Sequence, residues 1–194
     1  MSLVIGKEEK KDYGRIGEGT YGARLVQVID LGKQESDFYK NKDGSPVVQH
    51  KVWLTWELPS ELIEVGDEEK PRWISKEYTV SFNEKATLPK IINAMGGDKG
   101  TLDEYLGAAC MVQIGSSKND KDKVVNVTSP VKGFTVGDLV NSTTVFDFDS
   151  PDQEVFDSLP DFLQEKITSA QDWEGFEVKK EEPKDDDFED DIPF

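Results

Sequence analysis

A chain of 194 residues accommodates one domain with an appendage, or at most two small domains. Its single cysteine, Cys110, excludes an internal disulfide framework and a cysteine-built metal site, and its single histidine, His50, argues against a histidine-based metal or acid–base centre. A formal charge of −17 at first argues against a nucleic-acid partner. The charge is uneven, however: residues 1–149 carry 19 Lys and Arg against 24 Asp and Glu, whereas residues 150–194 carry 4 against 16. Most of the acidity therefore belongs to the last quarter, and the front is nearly balanced. No apolar run is long enough to span a membrane, and the early charges from Lys7 to Lys11 are not followed by the apolar stretch of a signal peptide. A cytoplasmic protein is expected.

Residues 1–18 are polar and read as a flexible N-terminus. The first strand is expected over Tyr21–Gly32, rich in β-branched residues and ended by Gly32. A turn-rich segment follows, with Asp43-Gly44 as its turn signal and with Phe38 and Tyr39, unusual residues for a solvated loop. The second strand, Val47–Pro59, alternates. Val48, His50, Val52, Leu54, Trp56 and Leu58 fall on one face, and Gln49, Lys51, Trp53, Thr55 and Glu57 on the other. Residues 60–71 read as an acidic connection. The third strand, Arg72–Phe82, places Ile74, Tyr78, Val80 and Phe82 on a core face and Trp73, Ser75, Glu77 and Thr79 opposite.

A helix is expected over Thr87–Met95, capped by Thr87, with Pro89 in the tolerated first turn and Gly96-Gly97 as the stop. Thr101 and Glu104 have capping-box spacing and start a second short helix. The segment AACMVQIGSS reads as a fourth strand and KVVNVTSP as a fifth, joined by the polar hairpin SKNDKDK. Residues 131–149 are irregular, with Val145, Phe146 and Phe148 extending the sheet. Ser150 and Pro151 begin a helical turn and Pro160 a second segment whose apolar face is Phe162, Leu163 and Ile167. From Glu174 onward the chain is an acidic tail of disordered composition. The class is mainly β. Five strands with a helix between the third and fourth are the pattern of the OB-fold, a small Greek-key barrel, with another small α+β sheet as the alternative.

No catalytic constellation, phosphate-binding loop or cofactor motif is present; GRIGEG at residues 14–19 precedes a strand instead of joining a strand to a helix. The chain is not expected to be an enzyme or to hold a metal. The informative residues are aromatic and basic. Trp53 lies mid-strand beside Lys51, and Trp73 lies beside Arg72 with Lys76 nearby. An indole gives any base a flat π-face while an ammonium meets the phosphate, and the second and third strands of an OB barrel are those that bind oligonucleotides. Tyr39 and Phe38, with Lys40, belong to the first inter-strand loop; Lys118, Lys121 and Lys123 belong to the last. Trp53, Trp73, Tyr39 and Phe38 are therefore expected to stack on bases, and Arg24, Lys40, Lys51, Arg72 and Lys76 to neutralise phosphates. The alternative for either tryptophan is packing beneath the C-terminal helix or a loop. His50 reads as a satisfied, partly buried residue and Cys110 as core.

The chain ends DDDFEDDIPF, where Asp185, Asp186, Asp187, Phe188, Glu189, Asp190 and Asp191 lead to Ile192, Pro193 and Phe194. A partner pocket can take the Phe194 ring while a basic group binds its carboxylate, the preceding acids steering the approach. Acidic residues followed by a terminal Asp-Ile-Pro-Phe resemble the tail of bacterial single-stranded DNA-binding proteins, which implies recruitment of replication, recombination and repair proteins. The body differs from the bacterial protein; YGARLVQVIDLG, HKVWLTWELP and LGAACMVQIG resemble bacteriophage single-stranded DNA-binding proteins of the OB-fold type. Together the resemblances imply a viral replication protein with a host-style tail, acting in the host cytoplasm as a monomer or weak dimer. The expected organisation is a flexible N-terminus at 1–18, an OB domain at 19–149, a helical extension at 150–173 and a partner-binding tail at 174–194. The rival reading is an acidic interaction protein or DNA mimic that binds host DNA-processing enzymes instead of DNA.

Overall fold

Residues 14–176 are described by the structure, a computed structural model. Six strands form one sheet: β1 (Gly19–Lys40), β2 (Pro46–Val65), β3 (Glu68–Thr79), β4 (Ala109–Ser116), β5 (Asp122–Thr128) and β6 (Thr144–Phe146). Helix α1 (Thr87–Ala94) and a 3-10 turn (Asp103–Tyr105) lie between β3 and β4, and helices α2 (Gln153–Ser158) and α3 (Asp161–Thr168) follow β6. The molecule is thus mainly β. The order across the sheet is β3-β2-β1-β4-β5, with antiparallel neighbours throughout. Along one edge of β1, Gly19–Arg24 pairs with β4 and Gln27–Ile29 then pairs with β6 in parallel, so the edge that β4 leaves is covered. The two outermost strands of the order touch: Lys76 Nζ of β3 donates to the Val124 carbonyl of β5 at 2.9 Å.

β1 and β2 run further than their hydrophobic patterns suggest, while β3 begins earlier, at Glu68, and stops at Thr79, before Val80 and Phe82. Gly32 does not end β1. It takes φ +65° at a register shift between Asp30 and Lys33, and its N–H is held by Asp30 Oδ1 at 2.9 Å. The strand bends there and continues to Lys40, forming with the start of β2 an arm closed by the Asp43-Gly44 turn. Residues 60–71 are not an acidic connection but a second hairpin, paired from Leu62↔Pro71 to Val65↔Glu68 and turned at Gly66. Their acidity marks exposure, while Leu62, Ile63 and Val65 retain strand propensity.

Two cores lie on opposite sides of the sheet. The first holds Leu25, Val28, Leu54, Trp56, Leu58, Ile74, Tyr78, Cys110 and Val112 of the strands, with Leu88 and Ile91 of α1 and Tyr105. The second joins Ile29 and Leu31 of β1 and Phe146 of β6 to Phe156, Leu159, Leu163 and Ile167 of the C-terminal helices. Each such side chain contributes roughly 1.5–3 kcal/mol on full burial. Detaching α2 and α3 would therefore cost on the order of 10 kcal/mol, and the helical extension is an integral layer.

Several local expectations shift. Thr87 is the first helical residue of α1, and the N-cap is Ala86, whose side chain has no acceptor. Thr101 and Glu104 do act together: Glu104 Oε2 accepts the N–H groups of Thr101 and Gly100, which hold its carboxyl below the ordinary value. Asp152, not Ser150, caps α2, accepting the N–H groups of Glu154 and Val155 at 2.8 and 3.1 Å. Phe82 lies beyond β3 and is exposed, as is Val48, so neither belongs to the core. Phe148 lies past the end of β6 and packs edge-on against Trp173. Residues 14–18 are not loose: Arg15 pairs with Asp120 and Asp122, and Ile16 packs on the first core. Among the described residues no helix is long and apolar enough to cross a membrane.

Candidate nucleic-acid interface

Cross-strand partners share a face, so the β2–β3 register sorts the candidate residues. Lys51↔Thr79, Trp53↔Glu77, Thr55↔Ser75 and Glu57↔Trp73 lie on the outer face. Val52↔Tyr78, Leu54↔Lys76, Trp56↔Ile74 and Leu58↔Arg72 lie on the inner one. Arg72 and Lys76, expected to serve the same surface as Trp73, stand on the opposite side from it. Their neighbourhood in sequence concealed the alternation of the strand.

Lys76 links β3 to β5 through a side-chain hydrogen bond. Besides its bond to Val124, its ammonium lies 5.3 Å from the centre of the Tyr78 ring. Burial, and then the charge of Lys123, hold its pKa below the ordinary lysine value. Arg72 donates to the Gly14 carbonyl at 3.1 Å and anchors the N-terminal segment. Arg24 is a clamp: its guanidinium donates to the carbonyls of Gly137, Gly107 and Val136 at 2.6, 2.7 and 3.3 Å. These three cations hold backbone segments in place.

A further residue, Glu57, escaped the sequence reading. It is fully buried. Its two carboxylate oxygens accept the N–H of Val140 at 2.6 Å, the N–H and side-chain amide of Asn141 at 3.1 and 2.6 Å, and the indole N–H of Trp73 at 3.4 Å. Arg24 and Glu57 thus fasten residues 136–141 across the outer face of β1 and β2. The chain leading into this strap packs as closely: a Cβ at Gly22 would stand 2.9 Å from the Phe134 ring and 3.4 Å from Val136. The only hint in the sequence is an acid between Trp56 and Leu58, which strand alternation explains equally well as a solvated residue.

Trp73 is 42% exposed, its indole oriented by Glu57. Trp53 is half-buried at the edge of the second core, and Phe162 of α3 stands edge-on to it with centroids 5.4 Å apart. The packing alternative therefore holds for much of the Trp53 ring. Lys51 Nζ donates to Gln49 Oε1 and Thr79 Oγ1 at 2.9 and 2.8 Å, leaving one ammonium proton for another acceptor. Tyr39, 67% exposed, and Phe38, 89% exposed, lie with Lys40 at the tip of the β1–β2 arm. That arm and the β4–β5 hairpin bearing Lys118 and Lys121 leave opposite ends of β1. The structure brings together Lys51, Trp53 and Trp73 on one face, places Tyr39, Phe38 and Lys40 on the β1–β2 arm, puts Arg72 and Lys76 on the opposite face, and leaves Arg24 on the outer face but engaged by the 136–141 strap. The tail residues Asp185 to Phe194 lie outside the described residues.

The remaining chemistry is quiet. His50 Nε2 is 2.6 Å from Asp30 Oδ1, a satisfied and partly buried pair. Cys110 is fully buried, and burial pushes its thiol up to about 12, far from a reactive thiolate. Among the described residues no three His, Cys, Asp or Glu side chains converge as metal ligands. Compared with protein-family models, curated proteins and solved structures, the chain has no significant match.

Proposed function

We propose that this chain is a sequence-independent single-stranded DNA-binding protein built on an OB-type barrel, acting in phage replication, recombination and repair. The strand order, the contact of β3 with β5 and the position of α1 between β3 and β4 support the barrel. The observation that carries the function is the outer β2–β3 face, where Trp73 is exposed and Lys51, partly accessible at the end that leads into the β1–β2 arm, has an ammonium proton to spare. Trp73, Tyr39 and Phe38 stack on bases and Lys40 and Lys51 meet phosphates. Stacking tolerates any base, so no sequence preference is required. The acidic tail recruits partner proteins through Ile192, Pro193 and Phe194.

A titration with oligothymidine, followed by tryptophan fluorescence and repeated with duplex DNA and RNA across a salt series, tests this reading. Quenching with a strong single-strand preference is expected, and log affinity falls with log salt at roughly 0.7 per phosphate neutralised. Absence of binding at low salt overturns it. A second reading, the DNA mimic, draws support from the β2–β3 hairpin, which places Glu61, Glu64, Asp67, Glu68 and Glu69 on the folded surface. That reading requires the same titration to be silent and the body without its tail to bind a DNA-processing enzyme.

A further inference from the structure

Helix α3 is amphipathic, and Leu163 and Ile167 fill the second core. Phe162 does neither of the usual things for a phenylalanine on such a helix. It is 47% exposed, yet it is not stranded in solvent, because its ring stands at 65° to Trp53 with centroids 5.4 Å apart. Four residues on, Lys166 occupies the same side of the helix. Its ammonium pairs with Glu77, the residue directly opposite Trp53 on β3. The next cross-strand pair on this face is Lys51↔Thr79, in which Lys51 Nζ donates to the threonine hydroxyl. The C-terminal helix therefore lays an aromatic ring and an ammonium against the strand residues that already supply an aromatic ring and an ammonium.

We propose that α3 is part of the DNA-binding surface, with Phe162 as a base-stacking residue whose ring is seated edge-on against Trp53. The proposal rests on the single-stranded DNA reading above. Three features support it over simple packing. The core needs only Leu163 and Ile167 from this turn of the helix. The edge-on contact supports one edge of the phenyl group and leaves ring surface open to solvent. Lys166 neutralises Glu77, the one carboxylate on the strand next to Trp53, so that a phosphate passing the pair does not meet an uncompensated negative charge. A helix that cannot detach without breaking the second core holds the ring in place before DNA arrives, which limits the entropy lost on binding.

The test compares Phe162→Ala, Phe162→Leu and Phe162→Tyr with the full-length chain, using labelled oligothymidine and fluorescence anisotropy at fixed salt, with urea unfolding run in parallel. Leucine keeps an apolar side chain against Trp53 and removes the π-face; tyrosine keeps both. Alanine and leucine are expected to weaken binding about tenfold, the effect of losing one stacked base, while tyrosine binds like the parent. Leu163→Ala serves as the packing control: it lowers the unfolding midpoint and leaves the affinity of the folded protein unchanged. If Phe162→Leu binds oligothymidine as tightly as the parent, Phe162 is a packing residue and the inference fails while the DNA reading stands. If the parent itself does not bind, the DNA reading fails and the inference with it.

Discussion

Replacing Glu57 with alanine removes the acceptor for four donors at once. Two of these are backbone N–H groups, of Val140 and Asn141, that have this carboxylate as their partner under the strap. Hydrogen bonds to a charged group contribute about 1.5–3 kcal/mol each. Part of that offsets the cost of burying the carboxylate, and removal of one partner from a buried ionic network typically costs about 3–5 kcal/mol net. We expect Glu57→Ala to lose about 4 kcal/mol, a large share of the roughly 5–15 kcal/mol available to a domain. Glu57→Gln keeps one acceptor oxygen and should lose about half as much. With a urea slope of about 2 kcal/mol per molar, the midpoint falls by roughly 2 M for alanine and 1 M for glutamine. The assay is equilibrium urea unfolding at neutral pH followed by far-ultraviolet circular dichroism, since tryptophan emission itself responds to the lost Trp73 contact. An alanine shift below about 0.5 M at unchanged slope refutes the assignment, because residues 136–141 would then be held without the carboxylate.

The two tryptophans should separate stacking from packing. Trp73→Ala is expected to weaken oligothymidine binding by about 1–3 kcal/mol with little effect on stability, whereas Trp53→Ala should lower stability as well, because its ring meets the second core. Lys76 titrates abnormally because burial disfavours its charged form. The unfolded chain therefore binds more protons above the depressed pKa, so this residue's contribution to stability improves as pH rises toward 10.5. Any stability gained by Lys76→Met at pH 7 should accordingly shrink by pH 10, and its affinity for DNA, measured by anisotropy, should match the parent. Deleting residues 185–194 should leave oligothymidine affinity unchanged or raise it, while pull-down of replication and repair proteins is lost; weaker DNA binding on truncation would remove the idea that the tail competes with DNA. Lys166→Gln should weaken binding and Lys166→Gln with Glu77→Gln should restore most of it, a coupling readable as a double-mutant cycle in affinity.

Strand alternation carried much of this fold. The faces of β2 and β3 follow directly from period two, and the Asp43-Gly44 turn and the Thr101–Glu104 pair act where their chemistry places them. What escaped was long-range. Arg24 and Glu57 look like surface charges in any local window, because their partners lie more than 80 residues away in the 136–141 strap. Arg72 and Lys76 looked like neighbours of Trp73 because adjacency in a chain is not adjacency on a pleated strand. The acidic hairpin at 60–71 was obscured by charge, since acids lower strand propensity but do not forbid an exposed arm. Phe162 shares an apolar stripe with Leu163 and Ile167, and such a stripe does not say which of its members reaches the core.

Under the proposed function, the coverings decide where a strand of DNA can lie. The 136–141 strap and the second core occupy the outer side of β1, and Thr55 and Glu57 of β2 are fully enclosed beneath them. On β3, at one end of the sheet order, Trp73 is open and Ser75, Glu77 and Thr79 are each partly accessible. A bound strand under the proposed function therefore follows β3, with Trp73 toward one end and the Lys51–Thr79 pair toward the other. Thr79 lies six positions beyond Trp73, a run of roughly 20 Å at the rise of an extended strand, room for only a few stacked bases. The exposed aromatics of the β1–β2 arm are then the natural continuation of the path, because that arm leaves the sheet at the Lys51 end. The acidic β2–β3 hairpin leaves it at the Trp73 end, where its carboxylates would repel phosphates and limit the path on that side.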